Sequence, residues 1–232
     1  MPKRRTSTPG RNKTAAQTIP RRRKIPPNTR SVTGRRQSAK NDRTVGVESG
    51  LESRLVALLE FDPKYLRYEE QVPIEYRGRD GRIHVAIADF LVFFADRSKQ
   101  PWLVDVKYRS DFFKDWRQRK PRYVGIHRYA RDHGWIYCLL SEVELRTPHS
   151  ANASWLLHYR RRRPCAADQF LLLDKLSEMT GATPAALIGQ CSSDLIRVGE
   201  LIPTLWHLVA TFKIAADLNQ PINMQSRIWS AP

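Results

Sequence analysis

Asp89, Asp105 and Lys107 combine two carboxylates and an amine within nineteen residues, a set able to bind a cation or move a proton. Asp89 lies in the apolar run Ile87-Ala88-Asp89-Phe90-Leu91, and Asp105 in Leu103-Val104-Asp105-Val106. A carboxylate in such surroundings is costly unless it is paired or bound to a metal. Residues i and i+2 of a strand share a face, so Asp105 and Lys107 point the same way. Neighbouring strands lie ~4.8 Å apart, so Asp89 and Asp105 can meet around one ion. Two carboxylates beside a lysine suit a hard divalent cation with oxygen ligands, Mg²⁺ or Mn²⁺. Lys107 would then orient or activate a water, or stabilise negative charge developing on a phosphate. The plain alternative is a structural ion pair between Lys107 and one aspartate.

The elements around these residues follow from periodicity. Leu51, Leu55, Leu58 and Leu59 recur at helical spacing, which predicts a helix from Val45 to Leu59, stopped by Phe61-Asp62-Pro63. Gln71 to Tyr76 reads as a strand, residues 77–82 as a turn built on Asp80-Gly81, and Ile83 to Phe94 as a long central strand. Trp102 to Tyr108 is a third strand. A helix from Pro121 to His133, ended by Gly134, leads to a fourth strand, Trp135 to Leu140. Beyond Arg160-Arg161-Arg162-Arg163-Pro164, which reads as a linker, helices are expected at Gln169–Thr180, from Thr183-Pro184 to Gln190, and at Leu201–Ala210. Residues 211–218 and 226–229 then pair as a hairpin, and three short helices followed by a hairpin resemble a winged helix. The predicted helix before the first strand carries Glu48 and Glu52 and is followed by Glu60, and spacing alone does not say which approaches the aspartates. Gln71 could hydrogen-bond the site or only start its strand.

The charge is unevenly spread. The chain has 232 residues and a formal net charge of +17. Residues 1–44 hold fourteen Lys and Arg against a single acid, Asp42, with five prolines and no aromatic residue. Such a segment cannot bury enough apolar surface to offset chain entropy, so a disordered basic arm is expected. Arg21, Arg22, Arg23, Lys24, Arg35 and Arg36 would contact DNA phosphates, or the arm would only solubilise. The other 188 residues carry +4, so a ribosomal or nucleoid protein defined by charge is a weak reading. No run of 18 apolar residues spans a membrane and no apolar segment suggests a secretory signal. Cys138, Cys165 and Cys191 have no disulfide or zinc pattern, which suits a reducing cytoplasm, with nucleoid association when bound to DNA. The six histidines do not cluster, and neither G-x-x-x-x-G-K-[ST] nor G-x-G-x-x-G occurs, so nucleotide hydrolysis is not expected.

The order of parts resembles the restriction-endonuclease-like core, PD…(D/E)-x-K, and more narrowly the TnsA-type endonuclease subunit of heteromeric transposases. The residues that carry this are Glu48-Ser49-Gly50-Leu51-Glu52, Phe61-Asp62-Pro63, Tyr68-Glu69-Glu70-Gln71-Val72-Pro73, Ala88-Asp89-Phe90-Leu91-Val92 and Asp105-Val106-Lys107. Ala88 stands where the superfamily often has proline, and Asp105 where the family varies between acid and amide. The resemblance implies an α/β fold, a mixed sheet flanked by helices. With the composition and element order above, the chain divides into a disordered basic arm at 1–44, the nuclease domain at 45–159, a linker at 160–168, and a small winged-helix-like partner- or DNA-binding domain at 169–232. The resemblance implies that Glu52 joins Asp89 and Asp105 as metal ligand and catalytic residue. It also implies Mg²⁺-dependent phosphodiester hydrolysis of double-stranded DNA at transposon ends, on the strand that the transposase does not join. The partners implied are an integrase-type transposase subunit and an AAA-type ATPase regulator. Competing readings are a stand-alone restriction or repair nuclease and a non-catalytic DNA-binding accessory protein. Against the latter, a dead site has no reason to keep buried carboxylates that cost stability.

Overall fold

The computed structural model describes residues 34–78, 80–114 and 116–231. The expected arm residues 1–33, with Arg21, Arg22, Arg23 and Lys24, lie outside the described residues. Residues 34–44, expected to belong to that arm, are instead folded. Strand β1 (Gly34–Ser38) pairs antiparallel with β2 (Arg43–Val47). The reason is long-range and invisible to composition. Arg43 reaches Glu69 and Glu70 at 2.8 and 2.6 Å, Ser38 Oγ donates to Glu60 at 2.5 Å, and Lys40 Nζ donates to the Asp62 carbonyl at 2.6 Å. Charges that look solvated in the sequence therefore find partners at the other end of a helix and on a strand.

Helix α1 (Gly50–Phe61) starts five residues later than expected, because Val45 and Val47 alternate into the core as strand. Ser49 is extended and its side chain accepts from the Glu52 N–H, the mark of an N-cap. Strands β3 (Tyr65–Arg77), β4 (Ile83–Phe94), β5 (Trp102–Val106) and β6 (Ile136–Leu140) form one sheet in that spatial order. The first three are antiparallel neighbours, and β5 pairs parallel with β6 across the crossover of α2 (Arg109–Lys114) and α3 (Trp116–Asp132). Helix α3 begins before Pro121 rather than at it. Trp116 stacks on Tyr123 at 5.9 Å and touches Phe112 at 4.9 Å, contacts that hold the turn ahead of the proline.

The sheet is covered on both faces. Leu51, Leu55 and Leu59 of α1 pack with Tyr68, Phe90 and Val104 on one face. Ile126 and Ala130 of α3 pack with Val72, Ala88, Leu91 and Leu103 on the other. Gly125 is what lets α3 come so close: a Cβ there would sit 2.1 Å from the Tyr76 ring.

After α4 (Glu142–Leu145), helix α5 (Pro148–Arg160) fills a stretch for which no helix was expected. Its cap is Thr147-Pro148, the same pairing that announced α7 (Pro184–Cys191) at Thr183-Pro184, but its sequence is too polar to show a strong stripe. Helix α6 (Ala166–Ser177), α7 and α8 (Leu195–Ala210) are followed by the hairpin β7 (Ile214–Ala216) and β8 (Ile228–Ser230), a winged-helix-like arrangement. Ala153 and Leu156 of α5 share the core of this unit with Leu172, Leu187 and Leu205, so that core starts ahead of residue 160. Asn152 donates to the Leu218 and Gln220 carbonyls at 2.9 and 2.7 Å, tying α5 to the hairpin. Among the described residues no helix is long and apolar enough to cross a membrane.

Candidate active site

The ladder between β4 and β5 runs from Val92↔Trp102 to Phe90↔Val104 and stops. The next two residues in register are Asp89 and Asp105. Instead of continuing the ladder, the Asp89 carboxylate takes the Val106 N–H on Oδ2 at 2.6 Å. Two carboxylates therefore stand on neighbouring strands where the ladder ends, near enough for Asp105 to act on Asp89.

A second irregularity lies in the same row. Glu70↔Phe90 and Val72↔Ala88 bracket Gln71, which stands opposite Asp89. Gln71 is buried and has φ 53°, in the left-handed region. Along an undisturbed strand Tyr68 and Val72 would share a face, as would Ala88 and Phe90. Here Tyr68 and Phe90 pack with α1 while Val72 and Ala88 pack with α3. The side-chain phase of both strands slips by one at this row. Asp89 sits on the slip, between the layer of α1 and the layer of α3.

That position explains its electrostatics. Burial first, then the charge of Asp105, then that of Glu52, push the Asp89 carboxyl well above the usual carboxylate range. Glu52, buried in the first turn of α1, is pushed up by burial and by Glu48, against the Glu48 N–H and the Ser49 hydroxyl that donate to it at 2.8 and 3.0 Å. Of the three glutamates left open by the sequence, Glu52 is the one whose charge bears on Asp89. Glu60 points away, holding Ser38 at 2.5 Å and Tyr68 at 2.7 Å.

Asp105 is buried and has partners that the sequence reading missed. Arg122 of α3 donates to its Oδ2 at 2.8 Å and Tyr137 of β6 donates to the same oxygen at 2.7 Å. Arg122 also donates to the Ile87 carbonyl at 2.7 Å, so it bridges β4 and β5 where their ladder opens. Burial works against its charge, and Asp105 outweighs that and holds the guanidinium protonated. Burial and Asp105 push the Tyr137 phenol far up, so it remains a donor. A signal for Arg122 was present: it is in phase with Ile126 and Ala130 on the buried face of α3, a lone cation on an apolar stripe. Lys107 follows β5, is half-buried, and donates its backbone N–H to the Leu140 carbonyl at 2.9 Å. Its ammonium makes no ion pair among the described residues, so the structural pair on Asp105 belongs to Arg122 and leaves Lys107 available. Arg35 and Arg36 are exposed on β1, apart from the carboxylates.

Among the described residues no three His, Cys, Asp or Glu side chains stand at ligand spacing. The donor set nevertheless fits a hard divalent cation: the carboxylates of Asp105 and Glu52 both act on Asp89, and Asp89 Oδ1 accepts no hydrogen bond among the described residues. A cation would relieve the repulsion that now raises Asp89.

Left-handed φ at a residue other than glycine costs about 1–2 kcal/mol. Gln71→Gly should relieve it and raise unfolding free energy by about 0.5–1 kcal/mol after glycine's own entropy cost. Urea denaturation checks this: a destabilised variant would show that the backbone there is unstrained.

Two family models match the chain. One, described as TnsA-like endonuclease N terminal, covers residues 62–142, and the other, TnsA endonuclease C terminal, covers residues 144–218. Together they span about two thirds of the sequence. No curated protein matches it.

Proposed function

The chain belongs to the TnsA endonuclease family, and on that premise we propose that it hydrolyses one phosphodiester at each transposon end, on the strand its partner transposase does not join. The enzyme class is that of the family, a metal-dependent nuclease that works on DNA beside partner transposase components. The finer assignments are Mg²⁺ or Mn²⁺ as the metal, an integrase-type transposase as the partner, and an AAA-type ATPase as regulator. The observation that carries the reading is Asp89, held at the opening between β4 and β5 with Asp105 and Glu52 acting on it.

Asp89, Asp105 and Glu52 would hold the cation, whose chemistry when bound is to offset charge on phosphoryl oxygens and make water acidic enough to attack at neutral pH. Lys107, unpaired on the strand end beside Asp105, orients the attacking water or stabilises the charge that develops on the phosphate. Arg122 and Tyr137 fix the Asp105 carboxylate mainly through Oδ2, with Arg122 Nη2 also 3.5 Å from Oδ1, so that the carboxylate presents one geometry. Gln71 supports the row from β3. The sequence suggests a nuclease unit over 45–159 and a winged-helix-like partner- or DNA-binding unit over 169–232, joined at 160–168; the proposed division keeps the two units but draws the boundary ahead of α5, whose Ala153 and Leu156 pack in the second core.

The test is nicking of a labelled duplex carrying a transposon end, by the full chain with its transposase in Mg²⁺. A single nick at the end, on the strand not joined, is expected, and chelation should remove it. Cutting of unrelated duplex with no partner present would instead favour the stand-alone nuclease, and no cutting in either metal the accessory protein.

A further inference from the structure

A cleft of about 550 Å³ opens between the β1–β2 hairpin, α1 and the end of α5, away from the carboxylates. Its charge is one-sided. Arg35, Arg36, Lys40, Arg160 and Arg161 line it against a single acid, Glu60. Glu60 is already engaged: its oxygens accept from Ser38 Oγ, Tyr68 Oη and the Ala39 N–H at 2.5, 2.7 and 3.0 Å. Two of the cations have structural work. Arg160 donates to the Glu60 and Phe61 carbonyls at 3.1 and 2.8 Å, and Lys40 to those of Asp62 and Tyr65 at 2.6 and 2.5 Å, so both cap the C-terminal end of α1. The guanidinium groups of Arg35, Arg36 and Arg161 are exposed and take part in no ion pair among the described residues; Arg161 donates only to the Gln37 carbonyl, at 3.3 Å.

We propose that this cleft is a seat for the phosphate backbone of DNA, gripped by Arg35 and Arg36 from the hairpin and Arg161 from α5. Three observations support a nucleic-acid strand over a small anion or a nucleotide. The floor is aliphatic, Val56, Ala57 and Leu157, and among the described residues no aromatic side chain lines the cleft to stack a base. The cations come from two sides, hairpin and helix, and so track an extended anion. In the sequence, residues 1–33, directly ahead of β1, hold ten Lys and Arg and no acid, so the basic composition of the hairpin is that of a longer stretch. Burial chiefly, with a smaller contribution from Arg160, brings Lys40 down to about 8 against the charges of Glu60 and Asp62. Cleft and carboxylates share α1: Glu52 in its first turn acts on Asp89, while Val56, Ala57 and Glu60 face the cleft. At 1.5 Å per residue, Glu52 and Glu60 are about 12 Å apart along the axis. One duplex can reach both. A duplex is the anion in question because the chain is a nuclease, so the inference rests on that reading.

The experiment compares three versions of the full chain: wild type, Arg35→Gln/Arg36→Gln/Arg161→Gln, and a control triple at exposed cations elsewhere, Arg97→Gln/Lys99→Gln/Arg131→Gln. Affinity for an end-containing duplex is read by fluorescence anisotropy across a salt series. Each phosphate contact contributes about −0.9 to the slope of log K against log salt. The cleft triple should therefore lose about 2–3 of the slope and bind about tenfold more weakly near 0.15 M salt. The control should keep most of its slope, and all three should melt alike. A slope equal to wild type, or an equal loss in the control, would overturn the assignment. Nicking at saturating protein is measured alongside. If wild type cuts and the cleft triple cuts equally once saturated, the site reading stands whatever the slope does. If wild type never cuts, the nuclease reading fails while the slopes still report on the cleft.

Discussion

Asp89→Asn should lower the single-turnover nicking rate by at least about 10³-fold in Mg²⁺ with the partner transposase present, while DNA affinity changes by less than about twofold. A factor of 10³ corresponds to about 4 kcal/mol of transition-state stabilisation. That magnitude fits the removal of one carboxylate from a set that must hold a divalent cation. Affinity should survive because phosphate contacts are made elsewhere on the molecule. Undiminished cutting by the variant would remove Asp89 from the chemistry.

The same substitution should act on stability in the opposite sense. The Asp89 carboxyl is raised in the folded protein by burial, Asp105 and Glu52, and Glu52 is raised by its own burial. A carboxyl raised on folding binds its proton more tightly in the native state. Its contribution to stability is complete below the ordinary carboxylate pKa near 4 and is lost as pH rises through the higher folded value. Metal-free wild type should therefore lose melting temperature as pH rises from about 4, and Asp89→Asn should flatten that fall. Divalent cation should reverse it, since a ligand at 100 times its Kd adds about 2.7 kcal/mol. For a chain of this size that is roughly 5–10 °C. Scanning calorimetry with and without Mg²⁺ checks both parts: an equal Mg²⁺ shift in wild type and Asp89→Asn would place the cation elsewhere.

Arg122→Ala should cost about 2–4 kcal/mol of folding stability, the upper part of the range for breaking a buried pair being reduced because the guanidinium is 28% exposed. The loss arises because Asp105, with a side chain only 7% exposed, is left among the described residues with the Tyr137 hydroxyl as its one side-chain partner. Arg122→Lys should fall between, since an ammonium keeps the charge but not the fork that serves Asp105 and the Ile87 carbonyl together. Pairing the alanine variant with Asp105→Asn in a double-mutant cycle should show a coupling of at least about 1.5 kcal/mol, because removing the charge removes the reason for the cation. Urea midpoints of the four proteins measure this. Additive losses would mean that the two side chains do not act as a pair, and an unperturbed Arg122→Ala would mean that the carboxylate there is solvated.

The sequence by itself determined the succession of a helix, three antiparallel strands, a crossover helix and a fourth strand, because each has its own apolar period and a proline or glycine at its end. It also singled out Asp89, Asp105 and Lys107, because charges inside apolar strand runs need a reason. Tertiary structure decided the rest. Residues 34–44 read as a solvated basic arm until Glu60, Glu69 and Glu70, distant in sequence, supply partners that make a hairpin of them. Helix α5 has too weak an apolar stripe to be read alone and is held by packing against α1 and α8. The partner of Asp105 is Arg122 rather than the nearby Lys107, since a buried carboxylate pairs with the cation that the closely packed α3 brings to it across 17 residues of chain. The slip in side-chain phase at Gln71 and Asp89 left no mark in composition either, because it is a backbone conformation that only the pairing of whole strands can hold in place. Local rules settle periods and ends; which charges meet depends on contacts between residues that the chain keeps far apart.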